Sequence, residues 1–131
     1  MPYIYSEVDS LVTTPPTPNI GSGQCVALVE KYAKAPAPAN LLWRAGAAVR
    51  GNFILTKGTA IATFVKGRYL SHAHHNHAAL YVGQDASGIW VVDQYQGSGG
   101  IRKRILHFKG KTKSGDYIDP SNNGDAFSVI E

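Results

Sequence analysis

Residues 21–34 read GSGQCVALVEKYAK, and this stretch decides what the chain can form. Val26, Val29 and Ala33, flanked by Leu28 and Tyr32, make an apolar stripe at helical spacing. Ser22 stands where an N-cap is expected, since its hydroxyl can accept a free backbone N–H. Pro36 forbids continuation. The pattern predicts a helix from about Gly23 to Lys34, with the chain's single cysteine, Cys25, in its first turn. One cysteine can form neither an intramolecular disulfide nor a cysteine zinc cluster. A lone cysteine is commonly just a small buried hydrophobe, but this setting favours chemistry. The thiolate is the nucleophilic form, and an unperturbed thiol, with a pKa of about 8.5, is mostly protonated at neutral pH. The unpaired N–H groups and macrodipole at a helix start favour the anion. Gly21 and Gly23 leave an uncluttered backbone for a close-approaching substrate. Gly23 and Gln24 are therefore candidate substrate-binding residues, and the Cys25 N–H is a candidate oxyanion donor.

Upstream, residues 11–20, LVTTPPTPNI, are rich in proline and threonine and predict an extended lead-in over residues 1–20. Downstream, APAPAN at 35–40 is a short connection, and LLWRAG predicts a second helical piece ending near Gly46. From Thr59 the periodicity changes. TAIATFV (59–65), HAALYVG (77–83), IWVVDQY (89–95), GIRKRILHF (100–108) and AFSVI (126–130) predict strands, the fourth an edge or half-exposed one because basic and apolar residues alternate. KGKTKSGDYIDPSNNGD (109–125) is turn-rich. One substantial helix followed by hairpin-connected strands predicts an α+β fold, the N-terminal helix packed on an antiparallel sheet, in one domain spanning 1–131.

A nucleophilic cysteine needs a base from elsewhere in the fold. His77 opens HAALYVG and shares a strand face with the small Ala79 and with Tyr81. Read alone it is a polar residue at a strand end; beside a helix-start cysteine it becomes the candidate base. A third group should orient the imidazole. Asp93 lies within the apolar run IWVVDQY, where a carboxylate rarely stands without a partner, and Gln94 is the alternative. If Gly83 pairs with Ile89 across the loop QDASG, then Tyr81 faces Val91, Ala79 faces Asp93 and His77 faces Tyr95. Asp93 is then one diagonal step from His77. A slip of one residue would bring Gln94 opposite instead.

Composition limits the remaining possibilities. Apolar residues make up 44% of the 131, enough for a packed core. No apolar run approaches the length of a membrane span. MPYIYSEVDS is not a secretory signal, so the expectation is synthesis in the cytoplasm without a cleavable leader. The net charge of +4 favours anionic partners, bacterial cell wall among them. The basic run from Arg102 to Lys113 carries no nucleic-acid recognition signature and is expected to be a solvated strand and loop.

The order GQCVALVEKYA, then W-R-A-G, then GTAIATF, then NHAALYVGQDASGIWVVDQYQ, resembles the NlpC-type and CHAP branch of papain-like amidases. Within it the chain is most similar to the type VI secretion amidase effectors, small antibacterial toxins that cut peptidoglycan peptide bonds. The resemblance covers residues 20–108. It implies a papain-like fold with Cys25 as nucleophile, His77 as base and Asp93 as third member. It further implies the peptide stem or crosslink of peptidoglycan as substrate, no cofactor, secretion into the periplasm of a rival bacterium, and a neutralising immunity protein in the producer. One departure stands out: relatives often carry an acidic residue after the glycine of GTAIATF, where this chain has Thr59.

Two other classes compete. SHAHHNH holds His72, His74, His75 and His77, and imidazole is a good ligand for zinc or copper. The four are crowded into a loop, however, and the HExxH pattern is absent, so no metal is expected. A non-catalytic module gripping glycan through the basic tail is the other. Within cysteine chemistry, deamidation and acyl transfer pass through the same thioester as hydrolysis.

Overall fold

The computed structural model describes residues 2–131. Its elements, in chain order, are helix α1 (Cys25–Tyr32), a single-turn helix α2 (Ala39–Leu42) and strands β1 (Ala45–Ala48), β2 (Ala60–Thr63), β3 (Ala78–Gln84), β4 (Gly88–Asp93), β5 (Arg102–His107) and β6 (Phe127–Ile130). Short 3-10 turns occupy Val8–Leu11, Pro120–Asn122 and Gly124–Ala126. The six strands form one sheet in the order β1-β6-β2-β3-β4-β5, every pairing antiparallel. The α+β expectation holds, and β5, with its alternating basic residues, is an edge strand.

Strand alternation divides the core in two. Leu28 and Val29 of α1 pack with Ala60, Ala62, Ala78, Leu80 and Val92 on one face of the sheet. Ile61, Ala79, Tyr81, Ile89, Val91 and Phe127 form the second cluster on the other. Each fully buried large aliphatic side chain in these clusters contributes roughly 1.5–3 kcal/mol of transfer free energy. Trp43 is wholly buried and donates its indole N–H to the Pro36 carbonyl at 2.8 Å.

Helix α1 is shorter than the predicted Gly23–Lys34. Gly23 (φ 82°) and Lys34 (φ 64°) are both left-handed, which ends the helical path outside each terminus. Ser22 is not the cap: Gln24 occupies that position without a side-chain bond, while the Ser22 hydroxyl accepts the Gln24 N–H at 3.3 Å. The helical piece expected over LLWRAG stops at Leu42, because Ala45–Ala48 pair with β6 and Arg44 exchanges two backbone hydrogen bonds with Glu131, each 2.7 Å.

The hairpin register agrees with expectation at the site end and departs from it near the turn. Tyr81 faces Val91 and Leu80 faces Val92, but Gly83 faces Trp90 in place of Ile89. A bulge between Tyr81 and Gly83 absorbs the extra residue. It frees the Gln84 side chain to accept the Gly51 N–H at 2.8 Å and donate to the Val49 carbonyl at 2.9 Å, pinning the β1–β2 loop. The expected extended lead-in over residues 1–20 is interrupted by the 3-10 turn at Val8–Leu11, beyond which residues 12–20 lack a regular element; the segment is fastened to the body. Tyr5 donates to the Gly58 carbonyl at 2.9 Å, and a side chain at Gly58 would run into the Tyr5 backbone. Thr59 is buried and donates its hydroxyl to the Thr56 carbonyl at 2.6 Å, closing a turn.

Candidate active site

The ends of three elements converge where β3 begins and β4 ends. Cys25 is the first residue of α1, so its N–H has no partner inside the helix. The thiol is buried and lies against the hydrophobic cluster beneath α1. His77 immediately precedes β3, and Asp93 is the last residue of β4. His77 Nε2 is 2.6 Å from Asp93 Oδ2, with both side chains nearly sealed from solvent. That bond leaves Nδ1 as the ring nitrogen for the thiol. Tyr95 and Phe127 each present an edge-on ring 6.3 Å from the imidazole and limit its motion.

The electrostatics follow from this packing. Burial opposes ionisation of Cys25, yet the hydrogen bond and charge of His77 overcome it, holding the thiol below its ordinary pKa. Burial likewise opposes protonation of His77, but Asp93 and the Cys25 thiolate raise it to about 9. The two shifts share one cause, the approach of thiol and imidazole, and both favour a thiolate beside an imidazolium.

Gln94 turns elsewhere. Its Oε1 accepts the Ile20 N–H at 2.8 Å, and its Nε2 donates to the carbonyls of Ile20 at 3.0 Å and Gln24 at 2.8 Å. None of these bonds reaches His77, so of the two candidates only Asp93 meets the imidazole. Gln24 lines the open cleft above Cys25, a space of about 850 Å³. Gly23 is not part of that lining. Its left-handed backbone makes the turn into α1, and a side chain there would press on Gln96 Nε2 at 3.3 Å.

Three groups at the site were not signalled by the sequence. The Tyr69 hydroxyl lies 3.6 Å from Cys25 Sγ. It follows β2 in an undistinguished stretch, VKGRYL, and is fixed by the Trp43 ring 4.9 Å away. Asn76, one residue before His77, donates to that hydroxyl at 3.4 Å. Burial together with the neighbouring Cys25 pushes the phenol far up, so it stays protonated and can donate. Arg104 was expected among solvated charges, as its neighbours Arg102 and Lys103 are. Instead its Nε donates to Asp93 Oδ2 at 2.8 Å.

His72, His74 and His75 stand exposed along the cleft wall. Among the described residues, no group of three or more His, Cys, Asp or Glu is arranged to hold a metal ion. Among the described residues, no helix is long and apolar enough to cross a membrane.

An amino-terminal helix starting at a thiol and set on an antiparallel sheet is the architecture of papain-like amidase effectors, and comparison with known proteins agrees. The chain belongs to the family described as domesticated amidase effector 2, whose model matches residues 12–130. It is 40% identical to the type VI secretion amidase effector 2 protein of Salmonella typhi, with all of both chains covered. It is 36% identical to domesticated amidase effector 2 of Ixodes scapularis, across 82% of this chain and 70% of that one. The solved structure of a type 6 secretion amidase effector 2 superposes with a TM-score of 0.86 at 38% identity, covering 98% of this chain and 94% of the other. The family is one of enzymes, which decides against the non-catalytic binding module.

Proposed function

We propose that the chain works as one domain that hydrolyses an amide bond in the peptide stem or crosslink of peptidoglycan, with Cys25, His77 and Asp93 as its catalytic residues. The observation that carries this reading is the buried His77–Asp93 pair, 2.6 Å apart, set against a thiol at a helix start. The Cys25 thiolate attacks the amide carbonyl carbon and forms a C–S bond. The resulting oxyanion accepts from the Cys25 N–H and the Tyr69 hydroxyl. The imidazolium gives its Nδ1 proton to the departing nitrogen as the C–N bond breaks. Neutral His77 then takes a proton from water, whose oxygen attacks the thioester carbon, and the C–S bond breaks to release a carboxylic acid and regenerate the pair. Asp93 holds the ring and stabilises its charged form. No cofactor takes part. Gln94 shapes the entrance to the helix and takes no proton.

Family membership supports delivery into a rival bacterium, action in its periplasm and an immunity protein in the producer. The test is mass spectrometry of purified wall treated with wild type and with Cys25→Ala. The expected result is new amine and carboxyl termini within the peptides for wild type only. Release of the same fragments by folded Cys25→Ala would end this reading.

A further inference from the structure

The Asp93 carboxylate is held in an unusual, one-sided way. Oδ2 receives both His77 Nε2 and Arg104, whereas buried Oδ1 has no hydrogen-bond partner among the described residues. Arg104 lies in β5 opposite Val91, which puts it one diagonal step from Asp93 on the same face. Its Nε and Nη2 are each 2.8 Å from Oδ2, so the flat fork closes on a single oxygen. The guanidinium is itself held on its other sides. Nη1 donates to Asn122 Oδ1 at 3.0 Å, and the Tyr95 ring lies under it, 5.1 Å from Cζ to centroid. Asn122 is in turn anchored by donating to the Asp119 carboxylate at 3.2 Å.

We propose that Arg104 is a positioning residue that acts through Asp93 to hold His77 in its working orientation, and does not bind substrate. This rests on the assignment of Cys25, His77 and Asp93 above. Two physical reasons carry it. A carboxylate bonded only to a mobile imidazole can rotate about Cβ–Cγ, and the arginine fork removes that freedom. His77 is also uncharged for part of each turnover, after it has protonated the leaving nitrogen. At that moment Asp93 would be a buried anion without a counter-charge, a costly state. The Arg104 guanidinium, 2.8 Å from Oδ2, is a second cation that keeps the carboxylate paired throughout. Although Arg104 borders the cleft, each of its three nitrogens already donates one N–H, two to Asp93 and one to Asn122, and its Nη2 stands 3.4 Å from His77 Nε2. With the His77 Nε2 proton on Asp93, Nη2 and Nε2 are both donors and do not bond each other.

The experiment compares Arg104→Gln and Arg104→Lys with wild type in two assays, with melting temperature followed alongside. The first is iodoacetamide alkylation of Cys25 at pH 6, which reports on the thiolate pair without substrate. The second is kcat and KM on purified wall peptides. Arg104→Gln is expected to slow alkylation and lower kcat, each at least tenfold, with KM within about twofold. Arg104→Lys keeps the charge without the fork and should fall between. Wild-type alkylation with a raised KM would make Arg104 a substrate ligand and overturn the proposal. If Arg104→Gln does not fold, Arg104→Lys decides the matter by the same split between kcat and KM. His77→Ala is the control: an alkylation rate it leaves unchanged would strike the catalytic pair itself, whereas one it slows while Arg104→Gln does not strikes Arg104 alone.

Discussion

Asp93 and Gln94 are adjacent in the chain and point to opposite sides of the hairpin, the first onto His77 Nε2 at 2.6 Å and the second onto the Ile20 backbone at 2.8 Å. Substitutions at the two positions should therefore fail differently. Asp93→Asn keeps shape and removes charge; it should lower kcat by about two orders of magnitude or more while the protein stays folded. Gln94→Ala removes three part-buried hydrogen bonds and leaves the Ile20 N–H without its partner, while the Ile20 and Gln24 carbonyls still accept from Gly23 and Ala27; the cost is roughly 1–3 kcal/mol. It should appear first as a lower melting temperature, with a smaller loss of turnover. Parallel kinetics and thermal melts would reveal a reversed ranking.

The ion pair sets a pH window. Attack needs the thiolate, so kcat/KM should rise as pH climbs through the lowered Cys25 pKa, below the ordinary thiol value. Departure of the amine needs the imidazolium, so the rate should fall as His77 loses its proton near pH 9. A profile that begins to rise only above about pH 8, where an unperturbed thiol ionises, would contradict the pair.

Tyr69→Phe isolates one hydroxyl. The ring keeps its contacts with Trp43 and Phe64, so the fold should survive. Loss of the donor 3.6 Å from Sγ should reduce kcat roughly 10- to 100-fold, with KM little changed. An unaltered kcat would assign the phenol to packing alone.

Replacing His72, His74 and His75 together with Asn should leave substantial activity, because all three are exposed and only His77 meets Asp93. A loss as deep as that of His77→Ala, reversed by added zinc, would reinstate a metal role for the cluster.

Periodicity and chemistry made much of this legible in the sequence. The apolar stripe behind Cys25 placed the helix, and the strand runs placed His77 and Asp93 on neighbouring strands in a register that holds where the site lies. The bulge at Val82 escaped notice because it answers to Gln84 reaching the β1–β2 loop, a contact between residues 33 and 35 positions apart. Tyr69 and Arg104 escaped for a related reason. Neither stands in a distinctive pattern, and a basic residue on an edge strand looks solvated until its neighbour across the sheet is known to be a buried acid. The departures at both ends of α1 came from left-handed backbone at Gly23 and Lys34, which side-chain periodicity does not register.

Gln94 joins Ile20 and the start of α1 across 74 and 70 positions of sequence. Such a link closes only when distant parts of the chain have met, at the entropic cost of closing a long loop. The imidazole beside Cys25, that of His77, also comes from a distant part of the chain. An unfolded or partly assembled chain therefore has a thiol without its imidazole, mostly protonated at neutral pH, and its full reactivity is expected only with the complete tertiary structure. Iodoacetamide reactivity at pH 6, followed during refolding, would time that gain directly.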